Sequence, residues 1–178
     1  MGEKTLIEDD GGLFDACAEL VGLAFERGVT LGTAESCTGG LVCGCLTAVP
    51  GSSAVVRGGV VSYAIPVKHE VLGVSSQVLD TPEVGAVSSE CAEQMAEGAR
   101  RVLGCDVAVS ITGIAGPGGA EPRKPVGTVW MGLATPRGTR TVLNGFSGDR
   151  AAVRRAAVAR AIGLLREGVM EISDNSVE

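Results

Sequence analysis

Helical and extended signals take turns along this chain, and that rotation narrows its possible folds more than any other feature. Apolar residues at Leu13, Phe14, Cys17, Leu20, Val21, Ala24 and Phe25 recur at helical spacing and stop at Arg27-Gly28. Residues 29–33 read as a strand, 39–49 as a helix stopped by Pro50-Gly51, and 59–63 as a second strand. Pro66 suits the first turn of a short helix over 67–72. Beyond a turn-rich stretch at 73–87, Ser88 or Ser89 can cap a helix that runs to Leu103 and stops at Gly104. An apolar strand at 106–111, a loop dense in Gly and Pro at 113–126, strands at 128–134 and 140–146, and a long helix from about Asp149 complete the order. That last helix carries Val153, Ala157, Val158, Ala161, Ile162 and Leu165 on one face. Such an order buries its apolar faces in one way. It predicts an α/β fold, a three-layer α/β/α single domain whose mixed sheet is covered by helices on both faces.

The expected organisation is a flexible lead-in at 1–12, one domain at 13–168 and a polar tail at 169–178. Aromatic residues make up only 3% of the chain, so Ala, Val, Leu and Ile must fill the core. No apolar run approaches the roughly 20 residues of a membrane span, and the first residues lack a signal-peptide pattern. A cytoplasmic protein with no membrane partner is therefore expected. The net charge of −6 opposes broad nucleic-acid binding but leaves room for a small anion held by backbone N–H groups. The six cysteines form no CxxC pair, and His69 is the sole histidine. Reduced structural thiols, no metal and no cofactor are expected. The Ala-rich last helix makes a homo-oligomer plausible.

Three groups could carry chemistry. Thr33-Ala34-Glu35-Ser36-Cys37-Thr38-Gly39-Gly40 joins the first strand to the second helix, where unpaired backbone N–H groups converge. Ser36 either caps that helix or attacks a carbonyl while N–H groups near 37–40 receive the negative charge. Cys37 is a rival nucleophile without an obvious histidine partner, and packing is the favoured reading for it. Glu35 either orients a lysine or pairs with an arginine. In the second group, Tyr63 and Lys68 share a strand–turn–helix unit. A place in the first helical turn, together with burial, would lower the lysine pKa toward that of a base. Tyr63, expected half-buried, could relay the proton or hold the amine. Equally, Lys68 could be a solvated surface lysine. The third group is the loop Thr112-Gly113-Ile114-Ala115-Gly116-Pro117-Gly118-Gly119, at the end of a strand where open α/β sheets bind ligands. It is neither a Walker loop nor GxGxxG. Ser52, Ser53 and Arg57 form a smaller polar set able to meet a phosphate or to serve as a plain turn and surface charge. Asp149 can complement the last helix's dipole, while Arg150 could reach a neighbour such as a bound phosphate or another subunit.

Taken together, AESCTGG (34–40), PGSS (50–53), Tyr63 with Lys68, LGV (72–74), GAVS (85–88), TGIAGPGG (112–119), KPVGTVW (124–130) and FSGDRAAVR (146–154) resemble the C-terminal domain of the competence-damage-inducible CinA family. The likeness covers about residues 13–167. Standalone members of that family include nicotinamide-nucleotide amidohydrolases. Larger members carry an extra N-terminal domain, for which this chain is expected to have no room. The resemblance implies hydrolysis of the carboxamide of nicotinamide mononucleotide (NMN), without a metal. Ser36 would be the nucleophile, Lys68 the base and Tyr63 the assistant. The residues expected to bind substrate are Cys37, Thr38, Gly39, Gly40, Ser52, Ser53, Arg57, Thr112, Gly113, Gly116, Gly118 and Gly119. One departure stands out: relatives commonly carry Tyr-Ser-Asn where this chain has Tyr63-Ala64-Ile65-Pro66. A catalytically silent nucleotide-binding or partner-binding module is the alternative.

Overall fold

The computed structural model describes residues 12–173. Most of the expected lead-in, and residues 174–178, lie outside them. Five strands form one mixed sheet in the order β2-β1-β3-β4-β5. β1 (Leu31–Glu35) pairs in parallel with β2 (Val56–Val61) and with β3 (Val107–Gly113). β4 (Thr128–Thr135) and β5 (Gly138–Gly145) run antiparallel, joined by the hairpin expected at Pro136-Arg137-Gly138. Apart from the last position of β3, β1 and β3 are central and buried on both sides, their polar residues Thr33, Glu35, Ser110 and Thr112 included.

Strand alternation assigns each residue to a layer. Leu31, Val107, Val109, Ile111, Val129 and Met131 face one core together with α1 (Leu13–Glu26), α2 (Leu41–Thr47) and α6 (Arg150–Ser173). Ala34 and Ala108 face the other core, with Val78 of α4 (Ser76–Asp80) and Cys91 and Met95 of α5 (Ser89–Leu103). The three-layer α/β/α arrangement follows. Gly98 of α5 lets Leu72, just beyond α3 (Ile65–Glu70), dock flush, since a Cβ there would collide with the Leu72 carbonyl.

Several boundaries move from their expected places. β1 starts two residues late because Asp106 accepts from both the N–H (2.8 Å) and the hydroxyl (2.6 Å) of Thr30, holding it outside the ladder. β2 starts three residues early, its glycines at 58 and 59 hiding the pattern. The turn-rich stretch conceals α4, capped by the Ser75 hydroxyl, which accepts from Val78 N–H at 3.3 Å. The tail expected from 169 is helical through Ser173, and Val169 is fully buried. Ser88 is the cap of α5, its hydroxyl accepting from Cys91 N–H at 3.1 Å. Asp149 accepts from Ala152 N–H at 2.8 Å at the start of α6.

Candidate active site

The C-terminal ends of β1 and β3 lie side by side, and their onward connections leave in opposite directions along the sheet. That is the switch point at which open α/β sheets bind ligands. Alternation then splits two adjacent side chains. Glu35 points to the α2 layer and Ser36 to the layer of α3 and α5. Glu35 is buried, and its carboxylate accepts from the N–H groups of Gly40 (2.9 Å), Val42 (3.1 Å) and Cys43 (2.8 Å) and from the Thr33 hydroxyl (3.2 Å). It neither orients Lys68 nor meets an arginine. Instead it caps α2, whose own N-cap residue, Gly40, has no side chain to do so.

On the other face, Lys68 is only 1% exposed, so it is no surface lysine. Its Nζ donates to Ser36 Oγ at 2.9 Å and to the Ser62 carbonyl oxygen. Lys68 is the fourth residue of the six-residue α3, in its last turn rather than its first, so the expected dipole effect is replaced by another cause. Burial in an apolar surrounding holds its pKa below the ordinary lysine range. The opposing groups are the thiols of Cys91 and Cys37, each pushed up to about 11 chiefly by burial and so protonated at neutral pH. No carboxylate contributes. A neutral amine can keep one N–H on the Ser62 carbonyl and turn its lone pair toward the Ser36 hydroxyl.

The turn between β1 and α2 is held from two sides. Glu35 draws in its C-terminal half. Arg154 of α6 donates from Nε to the Cys37 carbonyl (3.1 Å) and from Nη2 to the Thr38 carbonyl (2.9 Å). Gly39 N–H is spent on the Ser36 carbonyl at 3.1 Å and Leu41 N–H on the Thr38 carbonyl at 3.4 Å. The N–H groups of Cys37 and Thr38 are left without an oxygen acceptor among the described residues. The Thr38 hydroxyl is buried and unpartnered as well, and so is that of Ser62. Gly39 and Gly40, expected to hold a nucleotide, therefore have no N–H to offer. Their positive φ angles (65° and 95°) shape the turn instead.

The other expected residues divide sharply. Tyr63 is 64% exposed, not half-buried, and its hydroxyl bonds to neither Ser36 nor Lys68; the amine is held by the Ser62 carbonyl. Ser52, Ser53 and Arg57 lie at the opposite end of the sheet, because Leu31 pairs with Val56 while Ser36 follows Glu35, the partner of Val61. At about 3.3 Å per residue that separation is on the order of 15 Å, too far for a contact at Ser36. Thr112 spends its hydroxyl on the Ala86 carbonyl at 2.5 Å. Gly113 packs in the ladder against Val129, and Gly116 is buried, its carbonyl accepting from Arg150 Nη1 at 2.8 Å. Only Gly118 and Gly119 present exposed backbone on the same sheet edge. A cleft of about 540 Å³ lies farther along, walled by Val87, Trp130 and Leu143, and does not include Ser36 or Lys68. Sequence reasoning missed Ser62 and Arg154. Ser62 acts through its carbonyl, which no residue type reveals, and Arg154 is one of several arginines on a helix 116 residues from the carbonyl of Thr38. Among the described residues no cluster of three His, Cys, Asp or Glu could hold a metal, and no helix is long and apolar enough to cross a membrane.

The family model for the CinA C-terminal domain matches residues 15–169. A CinA-like protein of Anaeromyxobacter dehalogenans (strain 2CP-1 / ATCC BAA-258) is 53% identical over 140 residues, covering 79% of this chain and 34% of that protein. Another, from Fervidobacterium nodosum, is 37% identical over 171 residues, 96% of this chain and 41% of the relative. The chain thus spans well under half the length of these relatives. The crystal structure of the competence/damage inducible protein CihA from Agrobacterium tumefaciens superposes with a TM-score of 0.85 at 38% identity, covering 91% of this chain and 97% of that one. A competence-damaged protein (CinA) superfamily structure from Escherichia coli gives 0.82 at 33% identity, covering 91% and 92%. The overall fold is that of solved CinA superfamily structures, and the chain belongs to the CinA C-terminal domain family.

Proposed function

We propose that this chain hydrolyses the carboxamide of nicotinamide mononucleotide to nicotinate mononucleotide and ammonia. One observation carries the reading: a buried lysine amine, with no carboxylate to keep it charged, lies 2.9 Å from the hydroxyl at the strand tip. Lys68 Nζ takes the Ser36 proton as Oγ bonds to the carboxamide carbon. The carbonyl oxygen becomes an oxyanion beside the N–H groups of Cys37 and Thr38. Collapse of that intermediate breaks the C–N bond as the Lys68 ammonium gives its proton to the amide nitrogen, which departs as ammonia. A water, deprotonated in turn by Lys68, then attacks the Ser36 ester. The acyl–Oγ bond breaks, the Lys68 ammonium returns the proton to Ser36 Oγ, and the carboxylate is freed. A catalytic base of this kind contributes about 10²–10⁴-fold in rate.

The test is ammonia release over a panel of pyridine nucleotides and nicotinamide riboside, with wild type and Ser36→Ala compared at matched folding. Release from NMN that disappears in the variant supports the mechanism. Undiminished release by Ser36→Ala rules it out. Stabilisation of the fold by NMN without any turnover would favour the silent nucleotide-binding module, to which the altered segment Ala64-Ile65-Pro66 could have led.

A further inference from the structure

The clamp on the strand-tip turn has a directional consequence. A trans peptide is planar, and the N–H of one residue points away from the carbonyl of the residue before it. Arg154 pulls the Cys37 carbonyl toward α6 at 3.1 Å, which turns the Thr38 N–H to the opposite side. Its second bond, 2.9 Å to the Thr38 carbonyl, fixes the next peptide plane as well. Two parallel bonds from one rigid guanidinium leave the segment little freedom to rotate, and a lysine cannot reproduce that fork. No ion pair to Arg154 is found among the described residues, and both its bonds go to backbone oxygens of this one turn. The carbonyls it holds would otherwise be free to turn inward, aiming partial negative charge at the place where an oxyanion forms.

We infer that Arg154 is a positioning residue for the oxyanion site, acting through the Cys37 and Thr38 carbonyls to aim the Thr38 N–H at the developing charge. The inference rests on the amidase reading above and names the group that sets its transition-state geometry. Arg154 touches no reacting atom. Its removal therefore acts on turnover and spares ground-state binding. Arg154→Met should lower kcat by about 100-fold, the range for loss of one oxyanion donor, while KM stays within threefold. Arg154→Lys should recover little of this. Added guanidinium ion at low millimolar concentration should partly rescue Arg154→Met and leave wild type unaffected.

A second readout separates this inference from the reading it rests on. A fluorophosphonate probe that phosphonylates Ser36 also builds negative charge on an oxygen at the site. Wild type labelled at Ser36 and Arg154→Met labelled at least tenfold more slowly, with far-UV circular dichroism unchanged, supports the clamp. Equal labelling and equal kcat in wild type and Arg154→Met overturn it while leaving the amidase reading intact. A rise in KM with kcat unchanged also overturns it, since Arg154 would then serve binding. A wild type that neither releases ammonia nor takes the probe removes the amidase reading, and the clamp falls with it.

Discussion

Replacing Glu35 by alanine should be among the most damaging single changes available to this chain. The carboxylate accepts four hydrogen bonds, three from backbone N–H groups in the first turns of α2 and one from Thr33. With only 1% of the residue exposed, water has little access to the donors left behind. Each buried donor without a partner costs about 1–3 kcal/mol, so three give roughly 3–9 kcal/mol. Partial hydration near Gly40 argues for the lower half of that range, about 4 kcal/mol. A domain of this size has about 5–15 kcal/mol in total, so the variant would stand close to unfolding. In thermal denaturation the Tm should fall by roughly 8–16 °C, at about 2–4 °C per kcal/mol. Glu35→Gln keeps the shape and one acceptor oxygen but turns an NH₂ toward the N–H groups, and should lose about half as much. Urea titrations of the three proteins at pH 7 supply the free energies. A loss under 1 kcal/mol for Glu35→Ala would show that the carboxylate does not organise this turn.

Other consequences concern the opposite face of the strand tip. Burial lowers the Lys68 pKa in the folded chain, so between that value and about 10.4 the unfolded chain binds the extra proton. Stability therefore rises with pH across that window by up to about 1.4 kcal/mol per unit, and is flat in this respect below it. Lys68→Met should lack the rise, which urea titrations of both proteins between pH 6 and pH 10 would detect; parallel curves would mean that the amine is solvated in the folded state. Cys37 carries a thiol pushed up to about 11 by burial, so iodoacetamide at pH 7.5 should spare ammonia release. Rapid inactivation with mass-spectrometric modification at Cys37 would contradict this.

Much of the fold was open to sequence reasoning because its signals are local. The spacing of Leu20, Val21 and Ala24 marks α1, the Ser88 cap and Gly104 bracket α5, and the apolar run of β3 needs no partner to be recognised. Of the candidate site, Ser36 and Lys68 are legible as candidates, each with an equally plain structural reading; the resemblance joins them, and the fold brings their side chains to 2.9 Å. What escaped depends on contacts between distant segments. Glu35 reads as a charge to be paired, yet its partners are N–H groups five to eight residues onward, reached only because alternation sends it to the α2 layer. Arg57 reads equally as a phosphate contact or a surface charge, and only strand register shows that it lies at the far end of the sheet from Ser36. The carbonyls of Ser62, Cys37 and Thr38 carry no residue-type signature at all.

The most direct test is the charge of Lys68 itself. The chain has three lysines, Lys4, Lys68 and Lys124, so ¹³Cε-labelled lysine gives three signals to follow by NMR as pH is varied, with Lys68→Met assigning one of them. An amine able to take the Ser36 proton must titrate below the ordinary value of about 10.4. A Lys68 signal that changes at lower pH than an ordinary lysine amine is the expected result. A Lys68 that stays an ammonium up to pH 10 would leave Ser36 without its base.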